Sequence, residues 1–241
     1  MKNILITGIS KGLGLEITKT LLGLNYNVFG IIRTLTDELN NLISEYPENL
    51  KTYSYDLSDS VNSKYLLIGT FIPIETPING FINNAAVAYD DIITNLQIEP
   101  LEKMYRVNVF TPFILTKYVI RNMIFHKTAG SIVHISSISA HTGYKGLSMY
   151  ASSKAALEAF SKTTAREWGS RSIRSNCIVA GFMDTAMSSV LSAEQKDRIY
   201  KRTSLQKPTK LESVAETTAF LLSNKSESIT GQNVFVDSGT I

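Results

Sequence analysis

The chain has 241 residues, of which 44% are hydrophobic and 19% are charged. This balance is typical of one large folded domain that buries a full core and stays in solution. The 24 basic and 21 acidic residues leave a formal net charge of +3, which is too small to indicate nucleic-acid binding. No apolar run reaches the roughly 18 residues of a membrane span, so we expect no membrane association.

The amino terminus and the cysteine content bear on the cellular compartment. Residues 1–7 lead directly into a strand-like run and lack the layout of a signal peptide. Cys177 is the only cysteine, so no intramolecular disulfide can form. We therefore expect a cytoplasmic protein, with Cys177 packed as an inert thiol in a buried strand.

Short β-branched runs alternate with longer stretches of helical periodicity along the whole chain. The predicted strands are Asn3–Thr7, Asn27–Ile32, Lys51–Tyr55, Ile78–Asn83, Ser131–Ser136, Arg174–Val179 and Asn233–Val236. The predicted helices are Leu13–Leu24, Leu35–Tyr46, Ser58–Thr70, Leu101–Phe125, Tyr150–Trp168 and Leu211–Leu222. Continuous apolar strands separated by helices indicate an α/β fold. We expect one doubly wound domain over residues 1–241, with about seven parallel strands and helices on both faces.

One segment departs from this alternation. Residues 182–210 are polar and irregular and follow the sixth predicted strand, so we expect them to form a substrate lid. The segment carries six basic residues: Lys196, Arg198, Lys201, Arg202, Lys207 and Lys210. Its acidic residues are Asp184, Glu194 and Asp197. Clustered cations beside a cleft favour capture of an anionic substrate, and the alternative is an ordinary solvated helix face.

The first predicted strand ends in a glycine-rich turn, TGISKGLG, and a helix follows it. Gly8 lets the chain turn sharply, and Gly12 lets backbone amides approach a pyrophosphate. Gly14 permits close packing of the helix on the strand, and the helix amino terminus favours the anion. The strand before and the helix after make dinucleotide binding the favoured interpretation over a purely structural turn.

The end of the second predicted strand indicates which dinucleotide is bound. An acidic residue there would bind the ribose 2′-hydroxyl of NAD, whereas an arginine would accommodate the 2′-phosphate of NADP. The strand ends at Ile32 and Arg33 without a carboxylate, and Lys11 in the turn adds a second positive charge. We therefore expect NADP(H) as the cofactor; the alternative is that both cations are ordinary surface residues.

Tyr150 and Lys154 stand four residues apart at the start of a predicted helix, so their side chains share a face. A free tyrosine has a pKa of about 10, and a neighbouring ammonium is expected to lower it. Ser137 follows the fifth predicted strand, at the carboxyl edge of the sheet where ligands of such folds bind. The three residues predict a proton-transfer site at that edge.

In this combination and order, the motifs resemble the short-chain dehydrogenase/reductase family, most of all its 3-oxoacyl-(acyl-carrier-protein) reductases, over essentially the whole chain. The family's TGxxxGxG matches residues 7–14, and its NNAG matches residues 83–86 with Ala86 in place of glycine. Its PG motif matches residues 180–181 with Ala180 in place of proline, and its last strand matches residues 229–239. The resemblance implies a Rossmann-type fold.

The resemblance also implies which residues form the site. The catalytic set comprises Asn108, Ser137, Tyr150 and Lys154. The cofactor-binding set comprises Gly8, Ser10, Lys11, Gly12, Leu13, Gly14, Arg33, Asp56, Leu57, Asn84, Ala85, Tyr150, Lys154, Gly181 and Thr185. No metal is needed, and none of the histidines has ligand spacing: His126, His134 and His141. His141 follows Ser137 closely enough that lining the pocket is the alternative to a packing role.

The implied reaction moves a hydride between the nicotinamide and a ketone or secondary alcohol. Tyr150 gives a proton to the carbonyl oxygen, and Ser137 hydrogen-bonds the developing oxyanion. Lys154 tunes Tyr150 and holds the ribose. Asn108 holds a water that links Lys154 to solvent.

Three functions stay open from the sequence. The first is a 3-oxoacyl-type carbonyl reductase acting on a small carbonyl substrate, free or carried on acyl carrier protein or coenzyme A. The second is a sugar or polyol dehydrogenase/reductase, and the third is a non-enzymatic NADP-binding sensor, which the presence of Tyr150 and Lys154 disfavours. Arg171 stands at one position where carrier-dependent reductases place a basic residue, whereas Thr128 stands at the other. The resemblance further implies a homotetramer, or failing that a dimer.

Overall fold

A computed structural model describes residues 1–67, 69–185 and 191–241. Its strands are β1 (Asn3–Thr7), β2 (Asn27–Ile32), β3 (Leu50–Ser54), β4 (Gly80–Asn83), β5 (Gly130–Ser137), β6 (Ile173–Ala180) and β7 (Asn233–Val236). They form one parallel sheet in the order β3-β2-β1-β4-β5-β6-β7. The order reverses between β1 and β4, and such a switch point opens a crevice at the carboxyl edge of the sheet.

The α-helices within the described ranges are α1 (Gly12–Gly23), α2 (Asp37–Glu45), α3 (Ile98–Tyr105), α4 (Thr111–Phe125), α5 (Ser139–Thr142), α6 (Ser148–Trp168), α7 (Ala193–Tyr200) and α8 (Leu211–Leu222). Alternate residues of β1 show how they cover the sheet. Ile4 and Ile6 join the core cluster that includes α1 and α8, whereas Leu5 joins the cluster that includes α4. The predicted doubly wound α/β fold, with seven parallel strands covered on both faces, is confirmed.

The predicted helix over residues 101–125 is interrupted in its middle. A π-helix at Arg106–Phe110 separates α3 from α4, and Thr111 N–H bonds the carbonyl of Arg106 there. Pro112 has no amide hydrogen with which to bond the carbonyl of Asn108 four residues earlier, so the regular ladder cannot continue. Local widening of this kind is frequent at functional sites.

The predicted helix over residues 58–70 is wrong. The described part of this segment holds only a short 3-10 helix at Asn62–Leu67, and residue 68 lies outside the described residues. Asp56 Oδ1 accepts from Ser58 N–H at 2.9 Å, and Asp59 Oδ1 accepts from Asn62 N–H at 3.3 Å. Such side-chain bonds offer the backbone an alternative to the α-helical ladder.

The predicted lid is more regular than its sequence indicates. Ser192 and Gln195 form a reciprocal capping box, and α7 follows from Ala193 to Tyr200. Residues 186–190 lie outside the described residues, and the role of 182–210 as a lid stays a prediction.

His134 on β5 is expected to make the fold sensitive to acid. It is fully buried, neither ring nitrogen has a hydrogen-bond partner within the described ranges, and its ring packs near Phe81 and Phe160. Burial, together with the nearby positive charge of Lys154, lowers the pKa of His134 to about 3. The unfolded chain has a histidine pKa of about 6.5, so the folded state loses stability as pH falls below that value.

We expect acidification from pH 7 to pH 5 to cost the wild type about 2 kcal/mol of unfolding free energy through His134. His134→Phe should lose that part of the pH dependence, because its aromatic ring cannot take up a proton in either state. Chemical denaturation at both pH values measures the difference, with His126→Gln, at a half-buried histidine, as the matched control. Parallel pH dependence in the wild type and His134→Phe would contradict the expectation.

Candidate active site

The turn between β1 and α1 has room for glycine alone at two positions. Gly8 adopts φ +75°, and a Cβ placed on Gly14 would lie 2.1 Å from the carbonyl oxygen of Gly8. Gly12 adopts φ +58°, and among the described residues a Cβ placed there would meet Thr185 Cγ2 alone, at 3.9 Å. Within those residues the face of Gly12 is open, and the residue predicted to touch the nicotinamide end stands beside it.

The residues directly after β4 fix this turn. Asn84 Nδ2 donates to the carbonyls of Thr7 and Gly8 at 2.9 and 3.0 Å. Thr7 Oγ1 accepts in return from the backbone amides of Asn84 and Ala85, at 3.1 and 3.0 Å. Asn84 and Ala85 thus lie beside the glycine turn, and their contact with the cofactor stays a prediction. The sequence analysis did not single out the Thr7 hydroxyl, which joins the glycine turn to the segment after β4.

A second set of bonds joins the turn to the segment after β2. Ser10 Oγ donates to the carbonyl of Thr34 at 2.5 Å, and Thr36 Oγ1 donates to the carbonyl of Ser10 at 2.7 Å. Thr36 also caps α2 by accepting from Leu39 N–H. Hydroxyl-bearing residues at helix starts are a known capping signal, so Thr36 was open to prediction from sequence.

The end of β2 is positively charged. Arg33 is exposed directly after β2, and Lys11 is exposed at the amino end of α1. Asp56, after β3, has a pKa below its usual range, mainly because Ser58 N–H bonds it and to a lesser degree because of Arg33. Leu57 lies beside it, and its carbonyl accepts from Thr111 Oγ1 at 2.6 Å. Within the described ranges, the end of β2 thus carries the exposed guanidinium of Arg33 and lacks a carboxylate.

The proton-transfer group lies at the carboxyl end of β5. Ser137 is the last residue of that strand, and its hydroxyl lies near enough to the phenol of Tyr150 to act on the pKa of that phenol. Ser137 Oγ also accepts from Ser139 N–H at 3.2 Å. Burial raises the pKa of Tyr150 above its usual value, the negative charge of Asp90 raises it further, and the nearby Ser137 hydroxyl opposes both. Asp90 is a neighbour that no sequence motif indicated.

Lys154 lies beneath Tyr150 and is only 2% exposed. Its Nζ stands 5.6 Å from the centroid of the Tyr150 ring and donates to the carbonyl of Ile135 at 2.8 Å. Burial lowers the pKa of Lys154 to about 8. The expected lowering of the Tyr150 pKa by Lys154 does not appear in this structure, because burial and Asp90 raise that pKa and Lys154 is not among the groups that lower it. A raised pKa keeps the Tyr150 phenol protonated at neutral pH.

Asn108 is completely buried in the π-helix. Its Oδ1 accepts from Val87 N–H at 2.9 Å, and its Nδ2 donates to the carbonyl of Val87 at 2.9 Å and to Ser153 Oγ at 3.1 Å. Both amide hydrogens are in use, so the side chain ties the loop after β4 to α6. The predicted water at Asn108 stays a prediction.

The neighbouring serines are placed differently from Ser137. Ser136 Oγ points to the carboxylate of Glu158, and Ser139 Oγ is buried without a hydrogen-bond partner within the described ranges. Gly181 is required by packing, because a Cβ there would lie 2.3 Å from Thr209 Oγ1 and 2.5 Å from Asp237 Cα. The structure thus brings Ser137, and not its neighbours, to Tyr150.

The described residues lack two further kinds of feature. They contain no group of three or more His, Cys, Asp or Glu side chains placed to hold a metal ion. None of the helices found in those ranges is both long and apolar enough to cross a membrane.

A parallel doubly wound sheet, a glycine turn at its switch point and a Ser137–Tyr150–Lys154 group at its carboxyl edge define a dinucleotide-dependent oxidoreductase. The comparisons with known proteins agree with this class. A family model described as enoyl-(acyl carrier protein) reductase matches residues 8–240. The chain belongs to this family, which lies within the short-chain dehydrogenases/reductases, and it is an oxidoreductase.

Individual relatives cover nearly the whole chain. Carbonyl reductase (NADPH) 2 from Sus scrofa is 32% identical over 237 residues, which are 98% of this chain and 94% of that protein. A 3-oxoacyl-(acyl-carrier-protein) reductase from Chlamydia trachomatis is 31% identical over 243 residues, which are 99% and 96% of the two chains. The solved structure described as ElxO with NADP bound has a TM-score of 0.90 at 26% identity and covers 99% and 98% of the two chains.

Proposed function

We propose that this protein is an NADP-dependent carbonyl reductase for 3-oxoacyl-type ketones. The observation that carries the proposal is the Ser137 hydroxyl near the Tyr150 phenol, with Lys154 Nζ 5.6 Å from the Tyr150 ring, at the edge of the sheet where β5 ends. Two relatives named for NADPH or 3-oxoacyl substrates support the cofactor and the substrate class. The residues fit an NADP-type cofactor, because the turn admits close approach and Arg33 is exposed where the 2′-phosphate would lie.

The chain's own groups act on the carbonyl oxygen of the substrate. NADPH, when bound, supplies the hydride. Tyr150 donates its proton to the carbonyl oxygen, and its raised pKa keeps that proton in place before the reaction. Ser137 donates a hydrogen bond to the same oxygen as negative charge develops on it. Lys154 contributes a buried positive charge, and Asn108 holds the loop after β4 against α6.

The experiment that tests the substrate class is a screen of the purified protein with NADPH consumption as the readout. Acetoacetyl thioesters represent the proposed class, and simple sugars and polyols represent the alternative. We expect acetoacetyl-coenzyme A or the carrier-bound ester to give the highest kcat/KM. A clear preference for a sugar would replace the proposal with a sugar or polyol reductase of the same family.

The cofactor preference depends on Arg33. We expect NADPH to bind at least about tenfold tighter than NADH, because a guanidinium pairs with phosphate through charge-assisted bonds. Arg33→Ala should remove most of that difference by weakening NADPH alone. Fluorescence titration of both cofactors measures it, with the exposed Lys225→Ala as a matched loss of one surface charge. Equal affinities of the wild type for both cofactors would contradict the assignment.

The basic residues of the predicted lid support an acidic substrate or carrier. Lys196 pairs with Asp184 at 2.6 Å and Lys201 with Asp197 at 2.7 Å. These pairs take up part of the positive charge that the sequence places there. Arg202 and Lys207 are exposed, and we propose that they contribute to capture of an anionic thioester.

Charge reversal at Arg202 and Lys207 should therefore lower kcat/KM selectively for an anionic ketone. We expect a loss of about tenfold at low salt that shrinks near physiological ionic strength, where the screening length is about 8 Å. Acetoacetyl-coenzyme A and ethyl acetoacetate form the anionic and neutral pair, and Lys225→Glu is the control reversal. An equal effect on both ketones would show that Arg202 and Lys207 are ordinary surface charge.

We also propose that the enzyme works in the cytoplasm and assembles as a homotetramer. The buried, unpaired thiol of Cys177 suits a reducing compartment. Exposed apolar side chains on α4, including Ile124 and Phe125, suit an interface between subunits. Light scattering at micromolar concentration distinguishes a tetramer, a dimer and a monomer.

A further inference from the structure

Glu158 is a buried acidic residue that the proposed reaction does not use. It lies on α6, one turn beyond Lys154 and two turns beyond Tyr150, so the three share a face of the helix. Only 8% of its surface is exposed. A buried carboxylate is costly unless hydrogen bonds compensate for the loss of water.

Three donors from three other elements surround this carboxylate. Ser136 at the end of β5 donates to Oε1 at 2.5 Å, and Asn233 at the start of β7 donates to Oε2 at 2.6 Å. Nε2 of His141, in α5, lies 2.9 Å from Oε2 and 3.1 Å from Oε1. Because a carboxylate is an acceptor only, His141 must present an N–H at Nε2. Charge-assisted bonds of this kind are the stronger ones, so Glu158 binds β5, α5 and β7 to α6.

The α5 turn sets the orientation of the Ser137 hydroxyl. It begins two residues after Ser137, and Ser139 N–H donates to Ser137 Oγ at 3.2 Å. At the base of the turn, Ile138 N–H donates to the carbonyl of Ala180 at 3.0 Å. An oxygen that accepts from Ser139 keeps its own hydrogen free to donate elsewhere. The placement of α5 therefore decides where Ser137 can send that hydrogen.

His141 holds the other end of the same turn. Its side chain is 28% exposed, and its ring packs edge-on to Phe235 of β7 at a centroid distance of 5.0 Å. The bond from His141 to Glu158 joins the turn to the helix that carries Tyr150. The donor serine and the acid tyrosine thus belong to segments that one buried carboxylate connects.

We propose that His141 and Glu158 are positioning residues for carbonyl reduction. They hold the α5 turn on α6 so that the Ser137 hydroxyl points at the substrate oxygen beside Tyr150. The inference rests on the roles proposed above for Ser137 and Tyr150. It assigns His141 a role in turnover that differs both from simple packing and from direct contact with the substrate.

A purely structural role and a positioning role predict different kinetics. Loss of a structural bond lowers stability and leaves the kcat of the folded molecules unchanged. Loss of a positioning bond lowers kcat in molecules that remain folded and that still bind NADPH, because small displacements of a reacting group cost rate. The matched control is the buried bond between Ser161 of α6 and Ser175 of β6, at 2.8 Å, which does not touch the α5 turn.

The test compares His141→Leu, His141→Gln and Ser161→Ala at a temperature where circular dichroism shows each variant folded. Acetoacetyl-coenzyme A serves as the substrate, and NADPH affinity is measured by fluorescence. We expect His141→Leu to lower kcat about tenfold with NADPH affinity within about twofold of wild type. His141→Gln, whose amide can still donate to Glu158, should recover most of kcat, and Ser161→Ala should retain it. A kcat of His141→Leu equal to that of Ser161→Ala would overturn the inference.

Two further variants keep the result decisive. Ser137→Ala in the same assay tests the proposed function: if it keeps full turnover, that function fails. If Ser137→Ala loses turnover and His141→Leu does not, only the positioning inference fails. Should His141→Leu not fold, Glu158→Gln removes the charge at nearly unchanged volume. An unchanged kcat in Glu158→Gln would then overturn the inference, and a loss with NADPH binding intact would support it.

Discussion

Tyr150→Phe is expected to lower kcat by about three orders of magnitude, within the range that general acid catalysis contributes. The substitution keeps the ring between Ser137 and Lys154 and removes only the hydroxyl that gives the proton. Burial already raises the pKa of this phenol, so the wild type holds its proton ready at neutral pH. Single-turnover rates with acetoacetyl-coenzyme A measure the loss.

The control for Tyr150→Phe is the affinity for NADPH. We expect the dissociation constant to stay within about threefold, because less than about 1 kcal/mol of cofactor binding is at stake. Tyr105→Phe, which removes a phenol hydroxyl hydrogen-bonded to Ser152 at 2.8 Å, provides a matched hydroxyl deletion outside the group. Near-normal turnover in Tyr150→Phe on the best substrate would contradict the proposed role.

Lys154→Met is expected to lower kcat about a hundredfold or more, and also to weaken NADPH binding. The methionine roughly fills the space of the lysine stem, so the loss reports the charge and the donor more than a cavity. The ammonium donates to Ile135 in the structure and stands 5.6 Å from the Tyr150 ring, where it can serve both the phenol and a ribose.

The two effects of Lys154→Met separate it from Tyr150→Phe. Stopped-flow turnover and fluorescence titration of the same preparation measure both. We expect NADPH affinity to fall about tenfold in Lys154→Met, which is about 1.4 kcal/mol. A variant that lost turnover but bound NADPH as tightly as wild type would show that Lys154 does not contribute to the cofactor site.

The local motifs were predictable from sequence because their geometry depends on short spacing. The bounds of β1 and β2 are those predicted, and the glycine turn follows β1 directly. Tyr150 and Lys154 share a face of α6, as a separation of four residues requires. The absence of an acidic residue after Ile32 was likewise evident from the sequence.

Other features depend on contacts between distant segments. Residues 58–70 have helical periodicity, but the carboxylates of Asp56 and Asp59 accept hydrogen bonds from the backbone, and only the 3-10 turn forms among the described residues. The pKa of Tyr150 rises because the fold buries the phenol near Asp90, which a single-helix argument cannot include.

The hydrogen bonds between Glu158 and Ser136, His141 and Asn233 show most clearly that contacts between distant segments cannot be predicted from sequence alone. These four residues come from β5, α5, α6 and β7, and no pair of them has a spacing that indicates a contact. Burial of Glu158 was the missing fact, because a glutamate within a long helix reads as surface charge until the tertiary packing is known. Once burial is known, the need for three donors leads directly to Ser136, His141 and Asn233.

The measurement that tests the central claim most directly is transfer of deuterium from NADPH to a ketone. The purified protein is incubated with NADPH deuterated at one or the other face of C4, together with acetoacetyl-coenzyme A, and the product is analysed by mass spectrometry. The proposed function predicts 3-hydroxybutyryl-coenzyme A with one deuterium on C3 from only one of the two labelled cofactors. It also predicts that Tyr150→Phe gives almost none of this product. Absence of labelled product with both cofactors, in a wild-type protein shown to bind NADPH, would contradict the claim.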